Sequence, residues 1–107
     1  LPADTFGVWA TGAPGYADRM FELRARRVAF VTRDSAHPVT VYTIRRVRSA
    51  AVEDGVRYIV EYDGDGGVLE FRFVFAAEPR PEIRFVHQPR MVWQRTSTTR
   101  TFMPELY

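Results

Sequence analysis

The residues able to do chemistry are few and scattered. His37, before Pro38, and His87, before Gln88-Pro89, stand in separate segments. Two imidazoles could approach each other to hold zinc or haem iron, but no third ligand stands at a suitable spacing, so neither metal nor cofactor is expected. Cysteine is absent, which removes thiolate nucleophiles, disulfides, iron–sulfur clusters and cysteine-ligated zinc. Lysine is absent too, and all 15 basic residues are arginine; Schiff-base chemistry and a phosphate-loop lysine are excluded. Glu61 and Glu70 would have perturbed proton affinities inside a barrel, yet nothing selects them. No catalytic residue is expected, and the chain does not read as an enzyme.

Asp63-Gly64-Asp65-Gly66-Gly67 brushes against a calcium loop but lacks the third acidic position and the distal bidentate glutamate. It reads as a hairpin turn, in which glycines take positive φ and aspartates tolerate such positions. Arg24, Arg26 and Arg27, with Arg45, Arg46 and Arg48, suggest phosphate contacts, but the net charge is only +2 because acids are interspersed. These arginines read as solvated strand faces, and nucleic acid is not the expected partner. A single-strand-binding barrel with Phe71 and Phe73 as stacking platforms is the most distant alternative.

What remains is aromatic surface. Aromatic residues make up 14% of the 107 residues and hydrophobic residues 46%, too apolar for a disordered segment and enough for a real core. From Thr40 to Trp93 apolar residues recur at every second position, the period of a strand between two environments. Val56, Tyr58, Val60 and Tyr62 share one strand face, and Leu69, Phe71, Phe73 and Phe75 share one face of the next. Val39, Val41, Tyr42, Ile44 and Val47 form a longer strand, with a bulge where the alternation slips at Arg45 and Arg46. Glu53-Asp54-Gly55 turns it into its neighbour. Ile83, Phe85 and His87 make a short run between prolines; Met91, Trp93 and Arg95 lie on the last strand.

The N-terminal third is less regular. Phe6, Val8 and Ala10 alternate with Gly7, Trp9 and Thr11, a first strand ended by Gly12-Ala13-Pro14-Gly15. Residues 18–31 fit either a helix capped by Asp18 or a hairpin of Met20 to Arg24 and Val28 to Thr32; the strand preference of Val28, Phe30 and Val31 favours the hairpin. About eight short strands result, with the turn spacing of a sandwich or barrel. The domain is expected over residues 1–95, with 96–107 a polar linker and an apolar tail ending in Phe102 to Tyr107.

In an even-stranded antiparallel meander that closes, the end of the last strand meets the start of the first. Arg95 should therefore approach Trp9, where a guanidinium on an indole is a favourable cation–π contact, and Gly7 permits close chain approach. On Gly7-Val8-Trp9 in the first strand and a basic residue, Arg95 or Arg90, at the end of the last, the chain resembles the calycins, the superfamily of lipocalins, fatty-acid-binding proteins, avidins and small bacterial metalloprotease inhibitors. The resemblance implies an all-β, up-and-down, lipocalin-like barrel that holds a small hydrophobic ligand without catalysis. The expected ligand-binding residues are Tyr58, Tyr62, Phe71, Phe73 and Phe85, with Gly7, Trp9 and Arg95 closing the base.

The competing expectation is a filled barrel that acts as a protein interaction module, such as a protease inhibitor, gripping its partner with Leu1 to Phe6 or Phe102 to Tyr107. A sheet that fails to close would recruit a second chain, so a homodimer is the alternative to closure. No apolar run approaches the roughly 20 residues of a membrane helix, so no membrane span is expected. The chain starts at Leu1 without an initiator methionine, which points to removal of an N-terminal segment and to export, periplasmic or secreted.

Overall fold

The computed structural model describes residues 1–33 and 36–104. Eight antiparallel strands in meander order close into a barrel: β1 (Gly7–Ala10), β2 (Arg19–Leu23), β3 (Arg27–Thr32), β4 (Val39–Val52), β5 (Gly55–Gly64), β6 (Gly67–Ala76), β7 (Glu82–Phe85) and β8 (Trp93–Ser97). Closure pairs β1 with both β2 and β8, so the open edge that would have called for a second chain does not arise.

Each element follows from local chemistry. Residues 18–31 form the hairpin, not the helix: Leu23 pairs with Val28, and Arg24 N–H donates to the Arg27 carbonyl across the turn at 3.1 Å. Gly64 pairs with Gly67, leaving Asp65-Gly66 as the two-residue loop of the expected hairpin; neither loop residue takes positive φ, so the turn is not of the primed type, and the positive φ of the segment falls on Gly67 (+141°). In β4 the register steps from Ile44↔Tyr62 to Arg46↔Glu61, so Arg45 is the extra residue of a bulge. The inward face accordingly passes from Tyr42 and Ile44 to Val47, all three packed on the core.

The inward faces meet as the period of two requires. Val56, Tyr58, Val60 and Tyr62 lie opposite Phe75, Phe73, Phe71 and Leu69, and Trp9, Leu23, Val60, Phe73 and Ile83 are fully buried. Burial of each such side chain contributes about 1.5–3 kcal/mol. Phe71 and Phe73 thus face the barrel interior, Phe73 fully buried and Phe71 partly so.

One end of the barrel is sealed. Trp9 and Arg95 are register partners, with the guanidinium carbon 4.9 Å from the indole centroid. A 3-10 turn, Ala3–Thr5, plugs the opening beneath them. The Trp9 indole N–H donates to the Thr5 carbonyl at 3.1 Å, and Arg95 donates to the Asp4 carbonyl. Burial lowers the Arg95 pKa and Asp4 opposes the shift. At Gly7 (φ +138°) a Cβ would lie 2.6 Å from the Ser97 carbonyl oxygen, so the chain crossing at the seal leaves no room for a side chain.

β8 runs to Ser97, two residues beyond the expected domain limit at Arg95, because Val8 pairs with Ser97 after a register shift. The following segment is not a loose linker. It folds over the outer face of β1–β3, where Val8, Met20 and Val31 are buried with Phe102 against them. The fully buried Glu22 fastens it: its carboxylate accepts from the Phe102 backbone N–H at 2.6 Å, the Thr101 hydroxyl at 2.7 Å and Arg24 Nε at 2.7 Å. Arg24 also donates to the Arg100 carbonyl, and Arg27 to that of Pro104. Glu105, Leu106 and Tyr107, the end of the expected gripping tail, lie outside the described residues. Leu1 packs on the core and its ammonium donates to the Ala25 carbonyl at 2.8 Å.

Candidate functional site

Because β1 leaves the sealed end, the β1–β2, β3–β4, β5–β6 and β7–β8 connections gather at the opposite end. A cavity of about 320 Å³ opens there, at the small end of the range for small-molecule sites. Its walls are the outermost inward-facing rings of six strands: Phe21, Phe30, Tyr62, Phe71, Phe85 and Trp93. Two ring groups make them up. Phe30, Tyr62 and Phe71 pack at centroid distances of 5.6–6.1 Å, and Phe21, Phe85 and Trp93 at 5.0–5.9 Å. Phe71 and Phe85, 6.2 Å apart, bridge the two. Edge-to-face and tilted rings at such distances hold one another in place, which keeps the wall preformed.

The rim is polar. Tyr16 and Arg19 come from the β1–β2 side, Thr32 from the end of β3, and His87 and Gln88 from the β7–β8 connection. Gln88 Nε2–H donates to the Tyr16 hydroxyl at 3.2 Å, tying two connections together. The Arg19 guanidinium carbon lies 4.7 Å from the Tyr16 ring centroid. Trp93, on the wall, buries its indole N–H without a hydrogen-bond partner among the described residues, a deficit of about 1–3 kcal/mol for a buried donor. The Tyr62 phenol is neutral at physiological pH, and burial, with Tyr42 second, raises its pKa further.

Of the five residues expected to bind ligand, Tyr62, Phe71 and Phe85 line the cavity; Tyr58 and Phe73 do not. Tyr58 and Phe73 are cross-strand partners one layer deeper, 5.3 Å apart, and Phe73 is fully buried. Burial, with Asp4 of the sealed end second, raises the Tyr58 pKa, which marks it as a residue of the closed half. Alternation identifies the inward face but not the depth along the barrel axis.

Sequence reasoning did not select Tyr16, Arg19, Thr32 or Gln88. Arg19 had a signal: it shares parity with Phe21 and Leu23, so at the start of β2 it turns toward the mouth. His87 borders the aromatic wall, its ring 5.8 Å from Phe85, while His37 stands exposed in the β3–β4 connection. Among the described residues no group of three or more His, Cys, Asp or Glu could hold a metal ion.

A larger groove of about 720 Å³ runs outside the barrel beside the β4–β5 turn and β7. Glu53, Asp54, Arg57, Glu78, Glu82 and Arg84 line it together with apolar residues such as Val52, Val74 and Val86, and Arg84 and Glu82 are already paired at 3.5 Å. Charged side chains on a solvated strand face give no converging set, whereas the mouth combines an apolar wall with a few placed polar groups, the composition of ligand sites. The chain is thus an eight-stranded antiparallel closed barrel, open at one end. Comparison with family models, with curated proteins and with solved structures finds no match, so no family is assigned to it.

Proposed function

We propose that the protein is a calycin-like barrel that binds a small hydrophobic ligand at its open end, without catalysis. The observation carrying this reading is the aromatic cavity of about 320 Å³ at the end opposite the Trp9–Arg95 seal. Gly7-Val8-Trp9, the stacked Arg95 and the meander order support the calycin likeness. The site works by exclusion of water: a ligand covering the partly exposed Phe30, Tyr62 and Phe71 rings removes apolar surface from solvent at about 25 cal/mol per Å². The interaction-module reading has less support, since Leu1 and the segment through Pro104 are both held by the chain's own barrel.

The test is titration with the neutral fluorophore N-phenylnaphthylamine, with thermal denaturation at saturation. Binding to the folded state alone stabilises it by about 2.7 kcal/mol at a hundredfold excess over Kd, so a higher Tm and enhanced probe fluorescence are expected. Thr32→Trp, which places an indole in the half-buried mouth position, should abolish both while leaving the far-UV spectrum of the barrel intact. No stabilisation at saturating probe, or equal binding by the blocked variant, would sink the proposal.

A further inference from the structure

We infer that the open-end site selects anionic aromatic ligands, such as arenecarboxylates, over neutral ones of the same shape. This rests on the ligand-binding reading above and names the chemical class that the mouth favours. The wall is ring surface, suited to a planar apolar body. The electrostatics of the rim are one-sided: among the lining residues Arg19 carries a permanent charge, and none is Asp or Glu.

Arg19 is both available and placed. Among the described residues it has no carboxylate within ion-pair distance, in contrast to Arg24, Arg45, Arg48, Arg72 and Arg84. Its position comes from the Tyr16 ring beneath it, and Tyr16 is itself fixed by Gln88 from across the mouth. A guanidinium lying on an aromatic face keeps its N–H edge free, and that edge matches the two oxygens of a carboxylate. A ligand whose rings fill the cavity would bring a carboxylate at its outer end to this edge, where the charge remains partly hydrated. A neutral amide of equal size would fill the same space without the charge-assisted bond.

The experiment is isothermal titration of the full chain with naphthoate and with naphthamide, which share shape and differ in charge. The wild type should bind naphthoate about tenfold more tightly, the low end for a charge-assisted hydrogen bond. Arg19→Gln should bring the two affinities together by weakening naphthoate alone. Arg90→Gln, an exposed cation outside the cavity lining, should leave the ratio unchanged, which separates a local bond from general charge attraction. If both compounds bind equally to the wild type, or if Arg19→Gln keeps the preference, the inference is overturned while the pocket reading stands. If neither binds and N-phenylnaphthylamine also fails, both fall together.

Discussion

At each end of the barrel an arginine lies over an aromatic ring, Arg95 at 4.9 Å from Trp9 and Arg19 at 4.7 Å from Tyr16. At the sealed end the two residues are cross-strand partners, Trp9 is fully buried, and both are bonded to the 3-10 turn. At the open end Tyr16 sits in a connection and is half-buried, while Arg19 is exposed. The same pair is therefore a structural clamp where strands pair around it, and a polar rim where the strands have ended. The seam beside the mouth shows this too: β7 and β8 share only the pairs Glu82↔Gln94 and Ile83↔Trp93 before the chain leaves for the rim.

The largest test of this difference is Trp9→Ala, which empties a fully buried indole site and should lower unfolding stability by about 3–5 kcal/mol. Tyr16→Ala, which removes a half-buried ring packed on the edge of the core, should cost less, about 1–2 kcal/mol. Urea midpoints at constant slope measure both. Equal losses would break the distinction between clamp and rim.

Next in size is the fastening of the C-terminal segment. Glu22→Ala leaves the Phe102 N–H, the Thr101 hydroxyl and Arg24 Nε without their acceptor, and should cost about 2–3 kcal/mol. Local opening should exceed global opening, because the described part of the segment, through Pro104, is held on the outer face of β1–β3. Trypsin cleavage after Arg100 should then accelerate well before the barrel unfolds. Unchanged cleavage would mean that the apolar contact of Phe102 and Met103 alone holds the segment.

Gly7→Ala should be smaller, about 1–2 kcal/mol, from an alanine forced to positive φ. Its Cβ would meet the Ser97 carbonyl oxygen, a backbone atom that cannot rotate away. Thermal denaturation would show the loss, and Gly15→Ala offers a contrast: it too has positive φ (83°), but open space surrounds its Cβ. A loss at residue 7 no larger than at residue 15 would show that conformation alone, not crowding at the seal, requires glycine there.

The sealed end was legible in the sequence and the open end only in part, for a physical reason. Trp9, Arg95 and the rings of β5 and β6 lie on strands, where a period of two fixes their face and closure fixes their partners. Tyr16 and Gln88 lie in connections, where no period operates, and they meet only because the two connections reach the same rim. The bulge at Arg45 was visible as a slip in alternation. Glu22 was not singled out, because a charged residue between Phe21 and Leu23 reads as solvent-facing, and only the returning segment buries it.

The finest test uses the two tyrosines that divide the barrel between its ends. Both Tyr58 and Tyr62 have raised pKa values, chiefly through burial. The folded protein thus keeps protons that the unfolded chain releases above about pH 10, so stability should fall as pH rises past that point and through the folded values. Tyr58→Phe and Tyr62→Phe should each flatten part of this alkaline decline while changing stability little at neutral pH. Tyr62 lines the open-end cavity and Tyr58 does not, so on the proposed reading a neutral ligand such as naphthamide would cover Tyr62 alone of the two. Its binding should deepen the desolvation of Tyr62 and push its phenol higher still, leaving Tyr58 where it was. The difference in phenolate absorbance between the wild type and each single variant, titrated with and without ligand, cancels the other tyrosines of the five and reads Tyr58 and Tyr62 in turn. A ligand-induced shift at Tyr58 as large as at Tyr62 would place the bound molecule deeper than the aromatic mouth and overturn the division between filled and open halves.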